Sequence, residues 1–132
     1  MTGDELLYLE LEDVVRIHAR IFAIDDATAR RRLRDPGALE SALGRPLHNA
    51  VYQGADIATQ AAILAHGIAQ SQSFIDGNKR TALIAMTMFL RLNGRDLRVA
   101  DDELAAHVIA FAAGADPDDL ADAVRGSITG LD

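Results

Sequence analysis

The chain has 132 residues, a formal net charge of −7 and 49% hydrophobic residues, which bounds it to one domain able to bury about two-thirds of its unfolded surface. The absence of cysteine removes disulfides, thiolate metal sites and a cysteine nucleophile together, and the acidic balance argues against nucleic acid as the main partner. With no Trp and few aromatics, the core must be built from Ala, Leu, Ile and Val, which suits closely packed helices.

Helix signals follow one another along the chain, with neither repeats nor low-complexity linkers. Met1-Thr2-Gly3-Asp4-Glu5 is acidic where a signal peptide is basic, and no apolar run approaches membrane-spanning length, so the expected location is the cytoplasm. Leu6 to Leu11 reads as extended. Glu12-Asp13 open a helix through Phe22, with Val14, Ile17 and Ile21 on one stripe. Asp25 or Asp26 caps a short helix over Ala27 to Leu33. Its basic cluster, Arg30-Arg31-Arg32 with Arg34, lies between acidic Asp25-Asp26 and Asp35 and reads as a solvated face. Asp35-Pro36 starts a helix that should end near Gly44, and Leu47 to Tyr52 then reads as extended. Two central helices follow, from about Asp56 to Ser71 and from about Asn78 to Leu92. The second carries Leu83, Ile84, Met86, Phe89 and Leu90, so it should be buried, and Asn93-Gly94 stops it. Asp101 or Asp102 caps a helix to about Ala113. Asp116-Pro117 opens the last, with Leu120, Val124 and Ile128 on its inner side.

Between the two central helices lies Ser73-Phe74-Ile75-Asp76-Gly77-Asn78-Lys79-Arg80, which carries the chemistry. A carboxylate, a glycine turn, an amide and two cations precede a helix whose positive end points at the same place. A polyphosphate with a divalent cation uses all of these groups together. A turn with a solvated cap is the plainer reading of the same spacing, and the usual phosphate-loop pattern, Gly-x4-Gly-Lys-Ser/Thr, is absent. His18, His48 and His107 have no metal-ligand spacing and read as structural or surface residues. His66 lies on the preceding helix, roughly opposite the Ile57, Ala61, Leu64 and Ile68 face, and reads as packed or capping.

Phe74-Ile75-Asp76-Gly77-Asn78-Lys79-Arg80 resembles the signature of the Fic/Doc family, His-x-Phe-x-Asp-Gly/Ala-Asn-Lys-Arg in its Doc branch, with six of seven specified positions present in register. Asp35-Pro36-Gly37, the helix ending at Asn93-Gly94, and Ala112-Ala113-Gly114 before the Asp116-capped helix resemble the family outside the loop. The resemblance implies a single all-α domain over residues 1–132, a bundle of six to seven helices around a buried central one with at most a small β flap. Leu47 to Tyr52 stands where the family has that flap, an edge able to hold a target segment by β-augmentation. It implies ATP and Mg2+ as cofactors, with Asp76 as metal ligand and Phe74, Gly77, Asn78, Lys79 and Arg80 around the nucleotide. Catalysis would fall to the position of Gln72 together with Asp76, Lys79 and Arg80. Fic adenylyltransferases have Gly at the position of Lys79 and a second Arg at that of Leu83. Both departures match the Doc branch, described as toxin kinases that phosphorylate a threonine of elongation factor Tu and block translation.

The seventh position departs from the family: Gln72 stands where the signature has histidine. Gln can hydrogen-bond a target hydroxyl but cannot take its proton near neutral pH. Loss of a general base costs about 10²–10⁴ in rate, so the chain should be inactive or strongly impaired as a phosphotransferase. Gln72 is either native to a degenerate member or a change that disarms a toxin. Three alternatives stand beside the kinase reading: a silent binding module that holds nucleotide, antitoxin or target, an adenylyltransferase, and an unrelated bundle with a chance loop. The partners implied are a cognate antitoxin and elongation factor Tu, with neither nucleic acid nor membrane.

Overall fold

Local chemistry sets each helix boundary in the computed structural model, which describes residues 5–98 and 116–130. Helix α1 spans Leu11–Phe22, and the Asp13 carboxylate accepts from the Glu10 N–H at its start. Helix α2 spans Asp26–Arg32 and is capped by Asp25, whose carboxylate accepts from the Thr28 N–H at 2.7 Å. Helix α3 spans Pro36–Gln53, with Asp35 as cap and Pro36 in the first turn, where a missing N–H costs nothing. Helix α4, Ile57–Ser71, is capped by Asp56, and α5 covers Asn78–Leu92. Strand β1, Arg95–Leu97, pairs antiparallel with β2, Ile128–Gly130, and α6, Pro117–Arg125, precedes β2 with Asp116 as cap. Six helices and one small sheet among the described residues make this the expected all-α bundle. The Asp101/Asp102 cap, the helix to Ala113, Ala112-Ala113-Gly114 and His107 lie outside the described residues.

The largest departure from expectation is α3. It passes through Gly44 and the buried Pro46 and ends at Gly54, so Leu47 to Tyr52 is helix and not an extended flap. Gly54 adopts a left-handed φ of 63°, its N–H donates to Ala50 O, and the Ala55 N–H reaches back to Asn49 O, a two-bond helix stop. The interior proline removes one helix bond, a cost of about 3 kcal/mol that the packing of α3 on α4 has to offset. Among the described residues the extended pairing near the expected flap's size is β1 with β2, elsewhere in the chain. Residues Leu6 to Glu10 form no strand among the described residues. Leu7 is nonetheless held at both backbone groups by Asn93, whose Oδ1 accepts from the Leu7 N–H and whose Nδ2 donates to Leu7 O.

The central helix is α4, which packs against α3, α5 and α6. Its interior residues are mostly alanine, with Ala58, Ala61, Ala62 and Ala65 buried, and this lets neighbouring helices approach closely. At Gly67 the approach is closest, since a Cβ there would lie 2.9 Å from the Ala42 Cβ of α3. Helix α5 was expected to be apolar around most of its circumference and so buried. It buries Ala82, Ala85, Met86, Phe89 and Leu90 but leaves Ile84 and Met88 exposed, so it is amphipathic. Helix α6 buries Leu120 and Val124 and stops at Arg125; Ile128 packs on the core from β2 instead. Arg125 ties α6 to the start of α4 through two hydrogen bonds to Asp56, at 2.8 and 3.1 Å. The Arg125 guanidinium and the Thr28-like cap bond from Thr59 hold the Asp56 carboxyl well below the usual carboxylate range.

Candidate functional site

The α4–α5 connection begins at Gln72, which ends α4 in the left-handed conformation, φ 47° and ψ 39°. A non-glycine residue there is uncommon, and Asn, Asp and His are the side chains enriched in it. The Gln72 side chain is exposed. From Ser73 the chain extends and pairs with the segment leaving α2. Leu33 and Phe74 form an antiparallel bridge, with Arg34 N–H to Ser73 O at 2.8 Å and Ile75 N–H to Arg32 O at 3.1 Å. The loop backbone is thus fixed against a second element about forty residues away in sequence.

Phe74 is fully buried and anchors the loop from below. It stacks face to face on His18, ring centroids 4.0 Å apart and planes 6° from parallel, and His18 in turn meets Phe22 at 4.7 Å. His18 is itself fully buried on α1, with Nδ1 3.2 Å from Thr81 Oγ1 in the first turn of α5. Among the described residues its Nε2 has no hydrogen-bond partner. Burial pushes its pKa below the ordinary histidine value, Asp76 acts in the opposite sense, and Arg32 lowers it further. His18 is structural, as its spacing suggested, but it is structural to the loop.

Gly77 is required twice over. Its φ is 72°, and a Cβ would lie 2.4 Å from the Phe22 ring. The absent side chain makes room for Phe22 beneath the loop. Asn78 opens α5 and clamps the loop, its Oδ1 accepting from the Phe74 N–H and its Nδ2 donating to Phe74 O, both at 3.0 Å. Phe74 and Asn78 were expected beside the nucleotide; in this structure their side chains shape the loop, one facing the core and the other held by backbone.

The remaining groups face outward. Asp76, Lys79 and Arg80 are all exposed, and among the described residues none is in an ion pair. No side chain caps the start of α5, so its first-turn N–H groups face the same surface as the two cations. Among the described residues no group of three or more Asp, Glu, His or Cys side chains is placed to hold a metal ion. Asp76 alone is nonetheless enough for Mg2+, which binds through one or two carboxylates plus substrate phosphates. The cations, the helix start and this carboxylate fit a polyphosphate–metal pair.

A family model described as the Fic/DOC family matches residues 8–90, from the segment before α1 to the end of α5. The chain is also 35% identical over 94 residues to Toxin Doc of Mycolicibacterium smegmatis (strain ATCC 700084 / mc(2)155), covering 68% of this chain and 67% of that protein. This chain belongs to the Fic/DOC family. The matched residues of this Fic/DOC member include the whole α4–α5 connection, and Gln72 occupies the end of α4 from which that loop departs.

His66 was read as packed or capping, and it is half-buried. It lies six residues before Gln72 on α4, ~9 Å along the helix axis. Burial and the charge of Arg45 on α3 lower its pKa. His48 stacks with Tyr52 on α3, centroids 4.6 Å apart. Sequence reasoning missed Arg32 and Arg34, which the Leu33–Phe74 bridge brings to the edge of the loop. No helix among the described residues is long and apolar enough to cross a membrane.

Buried His18 and half-buried His66 give a pH prediction. The folded-state pKa values of His18 and His66 are lowered from 6.5, so their contribution to stability is complete above that pH and is lost as pH falls through the folded values. The melting temperature should therefore fall between pH 7 and pH 5. His18→Phe, which keeps the stack but cannot protonate, should show a smaller fall; an unchanged slope contradicts the assignment.

Proposed function

We propose that this chain is a Doc-like toxin whose loop binds ATP–Mg2+ for phosphate transfer to a protein hydroxyl, silenced at the proton-accepting step by Gln72. The observation that carries the reading is the loop: Asp76, Lys79, Arg80 and the uncapped start of α5 face one surface, with Gln72 at its edge. Bound ATP–Mg2+ supplies the transferable phosphate and the cation that balances its charge. Asp76 would hold the metal, while Lys79, Arg80 and the α5 N–H groups would hold phosphate oxygens. Lys79 fills space that glycine leaves open in adenylyltransferases, which supports transfer of phosphate and not of AMP. Gln72 orients the target hydroxyl through a hydrogen bond but leaves its proton in place. By likeness to Toxin Doc, the partners proposed are a cognate antitoxin, whose flexible segment folds onto the chain as a helix, and elongation factor Tu as target.

Calorimetry of the chain with ATP should show magnesium-dependent binding that Arg80→Ala weakens by about 1.5–3 kcal/mol, the scale of a charge-assisted hydrogen bond. No binding at millimolar nucleotide rejects the proposal. Gln72 also favours a second reading, a silent module that binds nucleotide or partner without turnover. ATP binding with no transfer after histidine is restored at position 72 would select it.

A further inference from the structure

The chain carries a net charge of −7, yet a cluster of cations borders the loop. Two of them, Arg32 and Arg34, come from the segment that pairs with it. In the antiparallel register set by Leu33 and Phe74, Arg34 lies across from Ser73, next in line to Gln72, and Arg32 lies across from Ile75, next in line to Asp76. Leu33 and Phe74 are buried in the core, while Arg34, one residue on in the extended segment, is exposed and Arg32, the last residue of α2, is half-buried. The Arg32 Cζ rests 5.6 Å from the centroid of the Phe22 ring, and Phe22 also packs under Gly77. Arg34 and Ile75 are exposed beside it.

The acids of α1 and those that flank this cluster in sequence are committed elsewhere. Glu12 pairs with Arg30, Asp13 accepts from the Glu10 N–H, and Asp26 pairs with Arg16. Asp25 and Asp35 are spent as helix caps on Thr28 and Ala38. Among the described residues neither Arg32 nor Arg34 has a carboxylate at ion-pair distance. Two guanidiniums on a backbone locked to the loop, one resting on the Phe22 ring and neither with a carboxylate partner among the described residues, suit carboxylates.

We infer that Arg32 and Arg34 form a docking edge for an acidic segment of the protein substrate, next to the hydroxyl on which the loop acts. The inference rests on the transfer reading of the loop. Lys79 and Arg80 already serve the phosphates from the α5 side, and Arg32 and Arg34 reach the loop from the α2 side, along the stretch that begins at Gln72. A short acidic protein segment, whose charge can be confined to this edge, fits better than nucleic acid, whose charge runs on over the surface of a chain of strong net negative charge.

The test uses the full chain and two fluorescein-labelled peptides: one threonine among aspartates and glutamates, and its counterpart with asparagines and glutamines. Fluorescence anisotropy should show at least tenfold preference for the acidic peptide, reduced by salt. Arg34→Glu alone, and Arg32→Gln with Arg34→Gln, should remove that preference while ATP–Mg2+ affinity stays within twofold. Arg34 is exposed, so its single variant reads docking without disturbing the fold. Equal binding of both peptides, binding of neither at millimolar concentration, or a preference that survives both variants overturns the inference. So does a loss of ATP affinity in place of peptide affinity, which assigns the pair to the nucleotide, or a single-stranded oligonucleotide that outcompetes the acidic peptide. If the chain binds no ATP–Mg2+ but keeps the acidic preference, the transfer reading falls and the docking edge stands.

Discussion

Gln72→His is expected to raise transfer activity by about 10²–10⁴ and to turn a tolerated protein into one that arrests bacterial growth. The backbone accepts the change readily, since Gln72 holds φ at 47° and histidine is among the side chains enriched in that region. The position is exposed, so the imidazole keeps a pKa near neutrality and is able to accept a proton. On the proposed reading Asp76 would hold the metal, Lys79 and Arg80 would hold phosphates, and the uncapped start of α5 would meet developing charge. Induced expression of the variant should stop growth and protein synthesis, with rescue by co-expressed antitoxin. A folded, ATP-binding variant that leaves growth untouched would move the account to the binding-module reading.

Phe74→Ala is expected to cost about 3–5 kcal/mol, a large part of the 5–15 kcal/mol typical of a domain. Phe74 is among the largest fully buried side chains, and its removal leaves His18 without its parallel stacking partner. The cost extends beyond the cavity. Phe74 anchors the Leu33 bridge, and its backbone receives both bonds of the Asn78 clamp. Loss of the ring should therefore loosen the loop and weaken ATP binding together. Arg80→Ala differs, because Arg80 is exposed and its loss should reduce binding with little change in stability. Urea titration with calorimetry separates the two; equal stability of Phe74→Ala and the parent chain contradicts the role given to the ring.

Much of the fold was legible because its helix signals are local. Asp35 and Asp116 cap the helices they were expected to cap, Asp25 is the cap of the two candidates offered for α2, α4 begins just after Asp56 where it was expected to begin, and the limits of α5 follow from Gly77 and Asn93. Misreadings came where tertiary packing overrode local preference. Gly44 and Pro46 argue for a helix end, but burial of Pro46 and Leu39 against the bundle carries α3 on to Gln53. Periodicity likewise could not show that α4, with its alanines, is more enclosed than the larger-residue α5. At the site, the loop motif was plain from contiguous residues. Its foundation was not, since Leu33 meets Phe74 and His18 meets Thr81 only after the chain has folded. Arg32 and Arg34 read as a solvated face for the same reason: the acids beside them in sequence turn out to be caps and partners of other groups.

The most direct measurement is the intact mass of purified elongation factor Tu after incubation with the Gln72→His chain, ATP and Mg2+. The account predicts the gain of one phosphate, with no gain from the parent chain under the same conditions. A gain of AMP, or no gain from a variant shown to bind ATP, contradicts it.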